Sequence, residues 1–239
     1  MSRPTIVISQ PWGGLGDNLQ FSTLPQLFTE KGYDVYISCR NAIRNQETYD
    51  LVWGKNPYIK GISNLPPTAG SCKSFSLVTS NPMKNMELAH GLTEGRAEYP
   101  IIYYTPKYIS DLSNCLLFDY TSISSSYTDV TIQKYFTDIF NKYPHLTKKK
   151  VLFEKINNRD IAGFDTDRII ISNIYEYCDA IHSCNVFLST FSGQSVLASA
   201  IKGKNLTPSI YTVHSHLSIT QKEGFMFAFN NINYIYITP

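Results

Sequence analysis

The stretch "TIVISQPWGGLGDNLQFSTLPQLFTEKGYDVYIS", residues 5 to 38, constrains the fold more than any other. It opens on a short β-branched run, "TIVIS", which reads as a buried strand. A loop with three glycines follows. From Asp17 the pattern changes: Leu19, Leu24, Leu27 and Phe28 recur at near-helical spacing, and Gly32 ends the segment. "DVYISC" then reads as a second strand. A strand, loop, helix and strand in this order put the two strands parallel, so the fold class expected is α/β.

The theme continues along the chain. "NAIRNQETYDLVWG" and "NPMKNMELAHGL" read as helices, and "YIKGIS", "FSLVTS" and "IIYY" as strands. After these, "CLLFDY" reads as a strand. In "VTIQKYFTDIFNKY", Ile132, Tyr135, Phe136, Ile139 and Phe140 share one helical face. "VLFEKI", "RIIIS", "NVFLST", "PSIYTV" and "INYIYIT" read as strands, and "IYEYCDAIHSC" and "SGQSVLASAIKG" as helices. The "KKK" run at 148 to 150 reads as a solvated loop. Two Rossmann-like halves are expected, 1–112 and 113–239, in a compact arrangement.

Composition narrows the function classes. The net charge of +2 is too small to argue for nucleic acid by electrostatics, and charged residues make up 17% of the 239. No run approaches the ~20 apolar residues of a membrane span. The start lacks the apolar stretch of a signal peptide. Five cysteines, an odd count without CxxC spacing, read as buried reduced thiols. A cytoplasmic protein is expected.

Two strand–loop–helix segments carry the candidate chemistry. In the first, Gly14 and Gly16 fit a dinucleotide-binding GxGxxG, but Leu19 stands at the third glycine and Asp34 precedes its strand. The dinucleotide reading is therefore disfavoured. Asp17 falls at the N-cap or first turn of the helix, where the macrodipole favours its ionised form. A carboxylate there repels phosphate. It serves either as a plain cap or as the acceptor of an alcohol proton. The second segment, "LSTFSGQSVLASA", carries Ser189, Thr190, Ser192, Gly193 and Ser195 with no acid nearby. Its helix N-terminus suits an anion, with hydroxyls as added donors. The division suggests a diphosphate on the second loop and the attacking group on the first.

"GGLGDNLQFSTLPQLFTEKGYDVYIS" resembles the N-terminal motif of family 9-like glycosyltransferases, the heptosyltransferase group. Gly14, Gly16, Asp17, Gln20, Phe21, Leu24 and Pro25 match its GxGDxxQFxxxLP pattern. "EYCDAIHSCNVFLSTFSGQSVLASAIKG" is similar to the group's C-terminal segment, with Ser192, Gly193, Ala198 and Ala200 matching. The resemblance implies a GT-B fold of two Rossmann-like domains. It implies an acceptor loop at Trp12, Gly13, Gly14, Gly16 and Gln20, with Asp17 as general base. A nucleotide-sugar donor would then lie on Thr190, Ser192, Gly193, Gln194 and Ser195, with His214 nearby. Transfer would invert the anomeric centre to a hydroxyl acceptor, such as a glycan, without a metal or other cofactor. The chain departs from the group at Phe191, where an acid is usual, at Val196, where a His is usual, and at "TSISSS", where a basic residue is usual. It also ends on an expected strand, without the group's C-terminal helix.

Other residues stay open. His214 and His216, two apart beside an expected strand, suit nucleotide contact or an ordinary loop better than a metal site, which needs further ligands. Arg96, Lys107, Lys155 and Arg159 are candidates to neutralise a leaving diphosphate. Trp12 suits either a sugar face or the core. The rivals to a glycosyltransferase are a non-catalytic GT-B-like sugar-nucleotide or glycan-binding protein and a nucleotide-sugar epimerase. The epimerase needs acids and histidines in the second half, where Asp179 and His182 read as helical and buried.

Overall fold

The computed structural model describes residues 2–10, 12–40, 45–69, 81–92, 97–121, 128–155, 161, 163–164, 166–203, 205–214 and 229–237. The chain divides into two compact units, the first taking Met1–Thr105 and the second starting at Pro106; Phe229 groups with the first and Asn230–Pro239 with the second. The expected strand "FSLVTS" lies outside the described residues, as do positions 41–44 of the expected helix "NAIRNQETYDLVWG".

The first unit is built on a parallel sheet of β1 (Thr5–Ile8), β2 (Asp34–Ser38) and β3 (Ile59–Ser63), in the order β1-β2-β3. Thr5 aligns with Asp34 and Val35 with Ile59. Ile8 makes a parallel bridge to Ala69 on the free side of β1, with Ser9 N–H donating to the Ala69 carbonyl at 2.8 Å. This single bridge extends the parallel pairing one step beyond β1. The expected single helix after β1 is two: α1 (Leu15–Gln20) and α2 (Leu24–Glu30). Pro25, in the first turn of α2, has no N–H to continue an α1 ladder. The chain instead tightens, with Phe21, Ser22 and Leu24 each donating three residues back.

Two further helices end the first unit's regular structure. The short α3 (Gln46–Tyr49), capped by the Asn45 side chain, runs into a π-helical turn, Asp50–Gly54, that buries Leu51, Val52 and Trp53. Asn81 caps α4 (Pro82–Ala89) by accepting from Met83 and Lys84 N–H. "IIYY" is not a strand. Ile101 N–H donates to Ser22 Oγ at 2.8 Å and the Tyr103 hydroxyl to Gln26 Oε1 at 3.3 Å, so the segment straps α2 and pairs with no ladder.

The second unit holds β4 (Cys115–Asp119), β5 (Thr147–Phe153), β6 (Asp167–Ile171), β7 (Val186–Thr190), β8 (Ser209–His214) and β9 (Ile232–Tyr236). All pairings are parallel, in the order β6-β5-β4-β7-β8-β9. Counted within the unit, that order is 3-2-1-4-5-6, the doubly wound arrangement of a Rossmann fold. The crossovers carry α5 (Asp129–Lys142), α6 (Ile174–Ser183) and α7 (Gly193–Lys202). Every residue of β4 and β7 is buried, as strands covered on both faces require. On one side Leu116, Phe118 and Leu188 pack with Ile132, Phe136 and Ile139 of α5.

The "KKK" run is not a loop. It lies inside β5, and Lys150 is 3% exposed with its Nζ 4.8 Å from the centre of the Tyr120 ring. Lys148 Nζ donates to the Tyr143 and Pro144 carbonyls that end α5. The thiols also divide. Cys115, Cys178 and Cys184 are buried, which pushes each of them up. Cys39, expected to be buried, is exposed. Among the described residues no helix is long and apolar enough to cross a membrane.

Candidate functional site

Parallel sheets bind ligands outside the carboxyl ends of their strands, where neighbouring connections leave in opposite directions. In the first unit that edge follows β1. Gly14, not Asp17, is the N-cap of α1, and Asp17 is the third helical residue. Its carboxylate reaches back to accept from Gly14 N–H at 3.2 Å, half of a capping box. The chain turns tightly enough that a Cβ on Gly14 would lie 2.6 Å from Asp17 Oδ2.

The helix is held from below. Asn18 is fully buried; its amide donates to the Gly14 carbonyl at 2.8 Å and its Oδ1 accepts from Trp53 Nε1 at 2.7 Å. This Asn18–Trp53 anchor fixes the loop, and nothing in the sequence marked it, because the partners are 35 positions apart. Gly16 is buried, Gly13 half-buried and Asp17 half-buried. Trp12 is 39% exposed, which leaves its ring outside the core. Its backbone N–H donates to the buried Gln10 side chain. Gln20 is 1% exposed, and its Nε2 has no hydrogen-bond partner among the described residues.

In the second unit the switch point falls between β4 and β7, where Asp119 aligns with Ser189. Thr190, the last residue of β7, is fully buried and its hydroxyl has no partner among the described residues. Ser192 caps α7: its Oγ accepts from Gln194 N–H at 3.4 Å, while its carbonyl accepts from Ser195 N–H at 3.1 Å and Ser195 Oγ at 2.8 Å. Part of the donor set expected to await an anion is thus used within the turn. Gly193 is the first residue of α7. His214, 3% exposed, ends β8 with its ring 4.1 Å from that of Phe191. His216 lies outside the described residues, as do Arg96 and Arg159.

A buried polar chain joins the two sides of this switch point. Asp119 is 1% exposed. Its Oδ2 accepts from the Tyr177 hydroxyl at 2.6 Å, and its Oδ1 from both the N–H and the hydroxyl of Thr121. The Gln194 amide donates to the Thr121 carbonyl and to Thr121 Oγ1. Burial pushes the Asp119 carboxyl up, against hydrogen bonds from Thr121, Tyr177 and Gln194 that pull it down. Burial and the Asp119 charge push the Tyr177 phenol well up. Asp119, Thr121 and Tyr177 were missed by sequence reasoning, since 58 and 73 positions separate the bonded pairs. A buried acid ending an apolar strand, "CLLFD", was the available signal.

Asp179 has a structural task. Its Oδ1 accepts from Lys107 N–H at 2.8 Å, next to Ser183, whose Oγ takes Ile109 N–H. That occupies the acid an epimerase would draw on. Among the described residues no group of three or more His, Cys, Asp or Glu comes together as a metal site would need.

No family model matches the sequence, and no curated protein matches it. Solved structures do match in fold. A family 9 glycosyltransferase from Veillonella parvula superposes with a TM-score of 0.63 at 9% identity, over 100% of this chain and 88% of that one. The bacterial iron-containing dodecameric glycosyltransferase TibC, from enterotoxigenic E. coli, gives 0.59 at 14% identity over 89% of this chain. The chain spans 58% of TibC's length. E. coli heptosyltransferase WaaC, solved with ADP, gives 0.51 at 7% identity, over 100% and 68% of the two chains. The fold is therefore the α/β fold of family 9 glycosyltransferases, with parallel, Rossmann-like sheets.

Proposed function

We propose that this chain is a glycosyltransferase that moves a sugar from a nucleotide-sugar donor to a hydroxyl acceptor. The observation that carries the reading is Asp17, a carboxylate poised by Gly14 and the Asn18–Trp53 anchor at the ligand-binding edge of a parallel sheet. The fold supports it: TibC has been solved with ADP-D-β-D-heptose and WaaC with ADP, and both share this architecture. In the reading, the acceptor lies along Trp12, Gly13, Gly14, Gly16 and Gln20. The donor lies along Thr190 and Ser192 to Ser195, with His214 beside Phe191.

The acceptor oxygen attacks the anomeric carbon and its proton passes to the Asp17 carboxylate. The bond from that carbon to the diphosphate breaks, and the nucleoside diphosphate leaves with the electron pair. The N-terminus of α7 offers its dipole to the charge that develops. The reaction so written inverts the anomeric centre and draws on no metal ion. The four described cysteines are free, which is in keeping with a reducing cytoplasm.

Asp17→Asn tests the reading. Asn retains the size of the side chain and loses the proton acceptor, so transfer should fall by about 10²–10⁴ while donor affinity stays. Transfer rate and donor dissociation constant, measured together on both proteins, check this. The same assay repeated in chelator, with the product's anomeric configuration read by NMR, checks the metal-free inverting course. Normal turnover by Asp17→Asn returns Asp17 to capping alone.

One observation favours a second reading, a protein that binds sugar nucleotides without turnover. Ser192 already uses the Gln194 and Ser195 N–H groups within the turn. Donor binding with neither transfer nor donor hydrolysis by the wild type would support it.

A further inference from the structure

Gln194 and Thr190 each bury a polar atom that has no hydrogen-bond partner among the described residues: Gln194 Oε1, on a side chain 9% exposed, and the Thr190 hydroxyl, fully buried. A buried polar group left unsatisfied destabilises a fold by about 1–3 kcal/mol. Native proteins leave few such groups, and two flank the three-residue stretch Phe191–Gly193 here. The orientation of the Gln194 amide is fixed by chemistry. The Thr121 carbonyl can only accept, so the atom facing it is the NH₂. Thr121 Oγ1 gives its own hydrogen to the Asp119 carboxylate and so accepts the second amide hydrogen. Asp119, steadied by Tyr177, thereby turns Gln194 so that a carbonyl oxygen, an acceptor, stands unpartnered at the first turn of α7.

We propose that Gln194 Oε1 and the Thr190 hydroxyl form a specificity subsite that takes an O–H or N–H donor group of the nucleotide sugar, and that Asp119 and Thr121 are its positioning residues. The inference rests on the donor reading above. It adds what that reading lacks, because a carbonyl oxygen cannot hold a diphosphate, which has no hydrogen to donate at neutral pH. The groups of a nucleotide sugar that can donate are the sugar hydroxyls and the base's amino group.

The test uses the whole chain and two near-isosteric variants, Thr190→Val and Gln194→Met, titrated with pyrophosphate, ADP, ADP-heptose and ADP-2-deoxy-2-fluoro-heptose. Each variant should bind ADP-heptose about tenfold more weakly, about 1.4 kcal/mol. Pyrophosphate binding should be unchanged. A loss seen with ADP as well assigns the group to the nucleoside, its base or its ribose. A loss confined to ADP-heptose assigns it to the heptose, and failure of the fluoro analogue to show that loss points to the heptose 2-hydroxyl. Either assignment supports the subsite. Unchanged ADP-heptose affinity in both variants overturns it while leaving the donor reading intact. Equal weakening of pyrophosphate also overturns it. A wild type that binds none of the four overturns the donor reading and this inference together. One arm needs no ligand: Thr190→Val should unfold at the same temperature as the wild type or higher. A lower unfolding temperature shows the hydroxyl already paired in the fold, which sinks the proposal.

Discussion

A side chain at position 14 collides with Asp17, because a Cβ there lies 2.6 Å from Oδ2. The atom it meets is the end of a flexible carboxylate, so the fold can yield cheaply while the carboxylate moves. Gly14→Ala should therefore change stability by less than about 1 kcal/mol yet lower transfer about tenfold or more, since misplacing a reacting group is costly. Urea unfolding and initial rates on the same preparation check the split. Asp119 gives a pH signature. Folding raises its carboxyl above the ordinary value of 3.8. Between that value and the raised one, the native state binds a proton the unfolded chain has released. Its contribution to stability is full below this window and is lost as pH rises through the raised value. The stability difference between wild type and Asp119→Asn should thus decline as pH climbs from about 3.8, read by unfolding at a series of pH values. These two residues also show what the sequence discloses. Gly14 and Asp17 are neighbours in the chain, and a local pattern exposed them. Asp119, Thr121 and Gln194 meet across a sheet, and no local pattern records such a meeting.

At the scale of elements, α5 and β4 pack through aromatic rings. The Phe118 ring lies edge-on to Phe136 at 6.2 Å and to Phe140 at 5.1 Å, with Phe164 at 5.6 Å. Phe118→Ala should destabilise the unit by about 3–5 kcal/mol, measured by chemical unfolding. The 3.6-residue spacing of Ile132, Phe136 and Ile139 made α5 legible, and all three are buried. Elements whose pattern is set by distant partners were less legible. The lysines of β5 read as a loop because charge normally marks solvent, yet Lys150 spends its length on an aromatic face. "IIYY" has the composition of a strand, but its N–H and hydroxyl groups go to α2 and the turn before it.

For the whole molecule, the alternation of strands and helices disclosed the α/β class, and the strand order came from the structure. The two units should answer differently to a nucleotide sugar. Binding at the β4–β7 edge at 100 times the dissociation constant adds about 2.7 kcal/mol to whatever folds with the site. Hydrogen exchange should therefore slow most in β4, β7 and α7, and least in β2 and β3. Equal protection of β2 and β3 would count against a donor site confined to the second unit.

The 3-2-1-4-5-6 order also governs how this chain is made. Leu116 of β4 pairs with Val186 of β7, seventy positions later. At the roughly 5–20 residues per second of synthesis, β4 leaves the ribosome on the order of ten seconds before its inner neighbour exists. During that wait five residues that are all buried in the finished sheet, "CLLFD", have β5 on one side and nothing on the other. Pairings this far apart form slowly. The strand at the centre of the candidate donor site is thus open to aggregation in the nascent protein, and production of this chain should improve when a chaperone covers that edge during synthesis and worsen when translation is slowed.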